Sequence, residues 1–486
     1  MATIDASVVA AIDAAIGSPS DVVRLPPGTR RLDIAVAGIA RLREERGAGS
    51  VLVLVPEHAD AERLIALLRR LGVGVASYPD EWERARSGAA VVVGTRSAVL
   101  APLEHLAGLL VLDAHDEGYV NERTPTWRAP VLARERAKAA GVSCLLISPT
   151  PSLDLLGSSV PHSVPIEMER AGWPRLEVLD RRGDDPRSGL FAPALTEIVR
   201  GARRDEPGRP VVAVLNRVGR ARLLACGACG SLVVCERCGG ALREGERTSD
   251  AADQGGKVTL SCPRCGLERP RICATCHSTR LRSLRLGVSR VAEEFEALVG
   301  EPAAEITSAT AEMPNAGLLV GTAAVLHRVR AASLVIWLDF DQELGAHRLR
   351  GSEQALALLA RAGRLVGPRS ASIGGFPRRV VVQTRTPDHL VLAAAHAGDP
   401  GLFALAEAHT REALRLPPFA ALALLSGEEA TEVAEMLDGM DGVEVAASDA
   451  KGYLVRASDP VRLADALAAS EAASRQCRVE VDPEGI

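Results

Sequence analysis

Lysine is nearly missing from this chain. Of 57 basic residues in 486, only Lys138, Lys257 and Lys451 are lysine. A phosphate-cradling P-loop needs Gly-Lys-Ser/Thr, because the ammonium reaches the β/γ-phosphates and the hydroxyl holds Mg²⁺. Lys138 follows Ala137, Lys257 precedes Val258 and Lys451 precedes Gly452, so no standard P-loop exists here. The arginine excess itself reads as genome composition. Aromatic residues make up 3% of the chain, too few for base stacking to dominate contact with nucleic acid. No apolar run reaches the roughly 18 residues that would span a bilayer. The N-terminus has no basic segment leading into an apolar one, so no secretory signal is visible. A cytoplasmic location without membrane contact is expected.

What is present is ordinary in bulk. Hydrophobic residues make up 47% and charged residues 24%, with a formal net charge of −5. Length alone suggests roughly three domains. The cysteines are not ordinary. Eight of the ten form four CxxC pairs: Cys226/Cys229, Cys235/Cys238, Cys262/Cys265 and Cys273/Cys276. Each pair can place two thiolates on one metal, and two pairs complete a tetrahedral Cys₄ site. Glycine follows the first three pairs directly, as the tight turn requires. Eight ligands imply two Zn²⁺. A disulfide framework suits exported chains, and iron–sulfur ligation fits regular Cys₄ ribbons less well than zinc. Four ligands with no open position make both metals structural. Cys144 and Cys477 read as inert core thiols. Between Arg217 and Arg290 there are 14 basic and 6 acidic residues. An acidic protein thus carries a basic module, which suits contact with nucleic-acid phosphate.

Apolar runs at Gly49–Val55, Val91–Val93, Leu109–Leu112 and Cys144–Ile147 read as buried strands, with a helix over Ala59–Leu71. Asp180–Ser188 has linker composition. Strands then recur at Pro210–Leu215, Leu318–Val320, Ser333–Leu338 and Val380–Gln383. This predicts two α/β lobes with parallel sheets, the second interrupted by the cysteines. In each lobe one strand runs into Gly-Thr (Gly94-Thr95, Gly321-Thr322) and another into aspartate (Asp113, Asp339), a weak sign of duplication. From Ala420 onward the pattern is βαββαβ, a ferredoxin-like order.

Several local segments, taken in order, resemble the PriA family of bacterial replication restart. They are Leu54-Val-Pro-Glu57, Gly94-Thr-Arg-Ser-Ala98 with Ala101-Pro102, Leu215-Asn-Arg217, and the four CxxC pairs. Arg290-Val-Ala-Glu-Glu-Phe295, Arg361-Ala-Gly-Arg364, Gln383-Thr384 and Leu416-Pro-Pro-Phe419 follow. The resemblance implies an α/β fold of two RecA-like helicase lobes of superfamily 2, with a double zinc-ribbon insertion in the second lobe and a ferredoxin-like α+β C-terminal domain. The implied division is a short N-terminal segment 1–19, lobe 1 over 20–165, lobe 2 over 166–222 and 284–390, the zinc insertion over 223–283, and a C-terminal domain over 391–486. It also implies the metal pairing: Cys226, Cys229, Cys273 and Cys276 on one zinc, and Cys235, Cys238, Cys262 and Cys265 on the other.

Departures from the family carry equal weight. Its P-loop position holds Pro26-Pro-Gly-Thr-Arg-Arg31, with neither lysine nor the glycine frame. Its Asp-Glu-x-His reads Asp113-Ala114-His115-Asp116. Asp113 remains as a Mg²⁺ ligand candidate, but Ala114 replaces the carboxylate that activates water. The Ser-Ala-Thr coupling motif reads Ser148-Pro149-Thr150. Ala357 replaces a glutamine, while Arg361 and Arg364 stay as nucleotide-site remnants that face the γ-phosphate in active relatives. Only about 25 residues precede the P-loop position, so the family's N-terminal DNA-binding region is expected to be missing, through either a misplaced start site or a truncation. The resemblance therefore implies a degenerate form. It would be a monomer that binds branched or single-stranded DNA and scaffolds primosome and other replication proteins, with two Zn²⁺ and without working ATP/Mg²⁺ chemistry. The alternative reading is an active ATP-dependent 3′-5′ DNA helicase with a non-standard nucleotide site.

Overall fold

The computed structural model describes residues 4–157, 159–184, 189–215, 224–237, 242–244, 259–262, 265–283, 288–307, 310, 312–346, 348–373, 376–448, 452–472 and 476–483. The chain divides into two compact units, Met1–Arg170 with Pro400–Glu484, and Ala171–Asp399.

The first unit holds a seven-stranded parallel sheet. Its spatial order is Val75–Tyr78, Val91–Gly94, Ser50–Leu54, Leu106–Leu112, Cys144–Ser148, Val22–Arg24 and His162–Ser163. Ser50–Leu54 is buried throughout, as expected of a strand covered on both faces. Alternate residues serve two different cores. Val51, Val53, Leu110, Leu112 and Ile147 pack with the helices Ala6–Ala15, Arg31–Arg46 and His58–Arg70. Leu52, Leu54, Leu109, Val111 and Leu146 pack on the opposite face with Ala129, Ala133 and Ala137 of the helix Ala129–Ala140. The period of two in a pleated strand is what sends neighbours to opposite faces.

Sequence reading treats residues 1–19 as a short separate segment. Instead Ala6–Ala15 is a helix with Val8, Ala11, Ile12 and Ala15 in the first of these cores. Asp5 caps it by accepting from the Ser7 backbone N–H at 2.8 Å. The spacing 8, 11, 12, 15 is a helical stripe that the reading passes over.

The second unit holds a six-stranded parallel sheet in the order Ala303–Ile306, Leu318–Gly321, Val211–Val214, Leu334–Trp337, Arg379–Thr384 and Arg175–Asp180. Strand for strand, this repeats the connectivity of the first six strands of the other sheet. The duplication is therefore topological. Its two glycines occupy equivalent places for one reason. A Cβ on Gly94 would lie 2.6 Å from the Ala98 Cβ and 2.8 Å from the Tyr78 carbonyl, and one on Gly321 would lie 2.7 Å from the Ile306 carbonyl. The stretch with linker composition is corrected in part. Asp180 ends a strand, and Arg181 is buried, its guanidinium donating to the Asp184 carboxylate and the Leu190 and Gly189 carbonyls. Residues 185–188 lie outside the described residues.

The cysteine insertion forms two small antiparallel sheets, Leu224–Cys226 with Leu281–Ser283, and Arg243–Glu244, Thr259–Ser261 and Glu268–Pro270. At the C-terminal end of the chain the strand order is Val443–Ser448, Gly452–Ala457, Ala421–Gly427 and Cys477–Val481, all antiparallel. With the helices Ala430–Leu437 and Pro460–Ala469 this is the expected ferredoxin-like arrangement. Among the described residues no helix is long and apolar enough to cross a membrane.

Candidate nucleotide-site remnant and metal centre

In open parallel sheets, ligand sites form beyond the carboxyl ends of the strands. At that end of the first sheet, the loop after Val22–Arg24 leads to a helix whose first residue is Arg31. The Arg31 guanidinium donates to Asp60 at 2.7 and 3.1 Å and to Asp113 at 2.9 Å. The side chains of Arg31, Asp60 and Asp113 are 21%, 12% and 4% exposed. Burial lowers the Arg31 pKa, but Asp113 and then Asp60 outweigh it, and the net shift is upward. Arg31 therefore supplies a fixed positive charge beside Asp113 at the carboxyl end of the sheet. Sequence reading registers the missing lysine but does not identify Arg31 as a partner of Asp113. The adjoining cleft, lined by Arg30, Arg31, Val55, Pro56, Asp60 and Arg63 among others, measures about 230 Å³. That is below the roughly 300–1,000 Å³ of small-molecule sites.

Asp113 itself has φ +52, a left-handed conformation that a strand-ending aspartate tolerates. Ala114 is 1% exposed, and its backbone N–H donates to the Ile147 carbonyl. The His115 Nδ1 lies 2.9 Å from the Ser148 Oγ, which also accepts from the Thr150 N–H at 3.1 Å. Ser148 thus still joins the Asp113 loop to the next strand. Tyr119, fully buried, donates to the Leu112 carbonyl at 2.7 Å, and burial pushes its phenol well up. Arg361 and Arg364 lie one turn apart on the helix Gly351–Val366 of the second unit, both half-buried.

Asp339 is the second sheet's counterpart of Asp113. Desolvation, then the neighbouring Asp341, pushes its carboxyl from 3.8 up to about 6, and Gln342 donates to it at 2.8 Å. The folded state then holds a proton that the unfolded chain has lost between about pH 4 and 6, so this group's contribution falls as pH rises through that window. Asp339→Asn is expected to raise the urea midpoint at pH 7 and to leave it unchanged at pH 4. A mutant–parent difference independent of pH would refute this.

In the cysteine insertion, the sulfurs of Cys226, Cys229, Cys273 and Cys276 all lie within 4.8 Å of one another. Two of the separations are 3.5 and 3.6 Å. Tetrahedral zinc with Zn–S of about 2.3 Å requires about 3.8 Å, so the four sulfurs fit that ion. The sulfurs of Cys235, Cys262 and Cys265 form a second such group. Cys238 lies outside the described residues. Three turns share one device. The N–H of Gly230, Gly266 and His277 donates to the carbonyl of Cys226, Cys262 and Cys273 at 3.0, 2.9 and 3.0 Å. All three residues have positive φ, including His277 at +57, where glycine is missing from the sequence pattern. The Ser231 hydroxyl and backbone N–H hold the Cys229 thiol down to about 6. At Cys276 the Ser278 backbone N–H is outweighed by hydrogen bonds with Cys229 and Cys226, which push that thiol up to about 12, so the thiols share their protons unevenly. Cys144 and Cys477 are buried, and desolvation pushes both thiols up.

No family model matches the chain. Curated relatives do. The chain is 28% identical over 371 residues to the replication restart protein PriA of Haemophilus influenzae, covering 71% of this chain and 48% of the relative. It is 28% identical over 451 residues to PriA of Treponema pallidum, covering 85% and 64%. It is 30% identical over 416 residues to PriA of Mycobacterium tuberculosis, covering 80% and 61%. The chain thus spans between about half and two thirds of the length of these relatives. Among solved structures, it is similar to the Mycobacterium smegmatis helicase Lhr bound to ssDNA and AMP-PNP, with 14% identity and a TM-score of 0.40, covering 96% of this chain and 60% of that one. Saccharomyces cerevisiae Dbp5 bound to RNA and ADP BeF3 gives 10% and 0.41, covering 79% and 85%. The paired parallel sheets carry the fold assignment independently.

Proposed function

The chain is PriA-like over most of its length, and from that premise we propose that it binds branched or single-stranded DNA and scaffolds primosome partners without unwinding DNA by ATP hydrolysis. The observation that carries this reading is the ion pair of Arg31 with Asp113 and Asp60. Mg²⁺ binding at Asp113 would have to compete with a guanidinium built into the fold. Hydrolysis also needs a group to orient water, and the buried methyl of Ala114 offers none. Arg361 and Arg364 would then serve lobe packing.

Two Zn²⁺ are the proposed cofactors. Cys226, Cys229, Cys273 and Cys276 would hold one, and Cys235, Cys262 and Cys265 with Cys238 the other. Each is coordinatively closed and supplies folding energy, not Lewis-acid chemistry. Two zinc tetrathiolates carry −4 together, so the segment from Arg217 to Arg290, with 14 basic and 6 acidic residues, stays basic. Arg237 and Arg280 are exposed there and available to phosphate.

The test is DNA binding and ATPase activity on one preparation. We expect binding to forked or single-stranded DNA that weakens steeply with salt, because phosphate contacts release counterions. We expect no DNA-stimulated hydrolysis. Hydrolysis that disappears in Arg361→Ala would establish the alternative, an active helicase. Absence of salt-sensitive DNA binding would remove the DNA reading altogether.

A further inference from the structure

The cluster of Cys226, Cys229, Cys273 and Cys276 is tied to the second sheet by a chain of contacts that a ligand function does not require. The turn after Cys226 ends at Gly230, with φ +78. The Gly230 carbonyl accepts from the Arg385 guanidinium at 3.1 Å, across 155 positions of sequence. The same nitrogen donates to the Arg181 carbonyl at 3.2 Å. Arg385 follows the strand Arg379–Thr384, and its own backbone N–H donates to both carboxylate oxygens of Asp341, at 3.1 and 2.9 Å. The hydroxyls of Thr384 and Thr386 donate to Asp341 as well, Thr386 at 2.9 Å. Asp341 is buried. A buried carboxylate held by three residues fixes the backbone from which Arg385 extends. A charged donor on a carbonyl is stronger than a neutral one.

We propose that Asp341 and Arg385 are positioning residues that latch the Cys226–Gly230 knuckle onto the carboxyl end of the lobe 2 sheet. The latch shapes the turn before metal arrives and slows its opening afterwards. It also gives displacement of the cysteine module, by whatever binds it, a direct mechanical path to the Asp339–Asp341 strand end. This inference concerns the Cys226–Gly230 turn of the proposed metal site, and it is independent of DNA binding.

The test compares the purified parent, Arg385→Ala, Arg385→Lys and Asp341→Asn by hydrogen exchange, zinc content, and zinc release to a chromogenic chelator. Losing the charged hydrogen bond is expected to speed amide exchange over Cys226–Ser231, and loss of the first-released zinc, by roughly tenfold. Exchange in the strand Val211–Val214 should stay unchanged, and Arg385→Lys should recover part of the protection. Knuckle exchange equal to the parent's in folded Arg385→Ala overturns the latch. Should Arg385→Ala fail to fold, Arg385→Gln and Asp341→Asn decide the matter by the same criterion. A parent without zinc would refute the metal reading, while the exchange comparison would still decide the latch.

Discussion

Chelation of the purified protein is expected to release two zinc ions per chain and unfold the segment between Leu224 and Ser283, leaving both parallel sheets intact. The reason is the small core that the described residues of that segment form. Its buried members include four cysteines beside Leu224, Val233, Leu242, Leu260 and Leu281. So small an apolar cluster, among the described residues, contributes little against the entropy of ordering the chain. Structural zinc contributes roughly 10–16 kcal/mol in isolated finger peptides, so its removal should dominate every other perturbation of this region. The measurements are metal analysis, far-UV circular dichroism and limited proteolysis, with cleavage confined to the module once metal is lost. Cys273→Ser should retain a single zinc. A module that stays protease-resistant after complete chelation would show that the metals are dispensable to its fold.

Arg31→Ala is expected to destabilise the first sheet by about 2–4 kcal/mol, because it removes the guanidinium shared by two largely buried carboxylates, of which Asp60 keeps Arg63 at 3.2 Å. For a unit of this size that corresponds to a fall of roughly 5–15 °C in its melting transition. Burial lowers the Arg31 pKa, Asp113 and Asp60 raise it more, and the net direction is up. A cation with a raised folded pKa contributes fully below its unfolded value of 12.5, so the effect should be flat across neutral and mildly alkaline pH. Adding Asp60→Asn to Arg31→Ala should cost less than the two substitutions separately, since both disrupt one network. Strict additivity in that cycle, measured by urea titration, would mean that Arg31 and Asp60 do not couple.

Much of this was legible in residues alone. Apolar runs such as Ser50–Leu54 announce strands because burial on both faces is a local demand on composition. The four CxxC pairs announce clusters of thiols because ligand spacing within a turn is also local. The order of elements from Ala421 to Val481 likewise revealed the last domain. The N-terminal helix was missed because its stripe of Val8, Ala11, Ile12 and Ala15 is short and built partly of alanine. The turn at Cys273 lacked its glycine, and only the backbone shows His277 adopting the same left-handed conformation.

By itself, the sequence determined the two α/β lobes, the cysteine module, the ferredoxin-like order of the last strands, and the absence of any Gly-Lys-Ser/Thr segment and of a carboxylate directly after Asp113. These are statements about which residues are present and how they repeat. Tertiary structure alone decided which charges meet at the sheet edges. Arg31 meets Asp60 and Asp113 across 29 and 82 positions, and Arg385 meets Gly230 across 155. No local period encodes such meetings. They arise because parallel strands deliver their carboxyl ends, and whatever charges those ends carry, to one edge of the sheet.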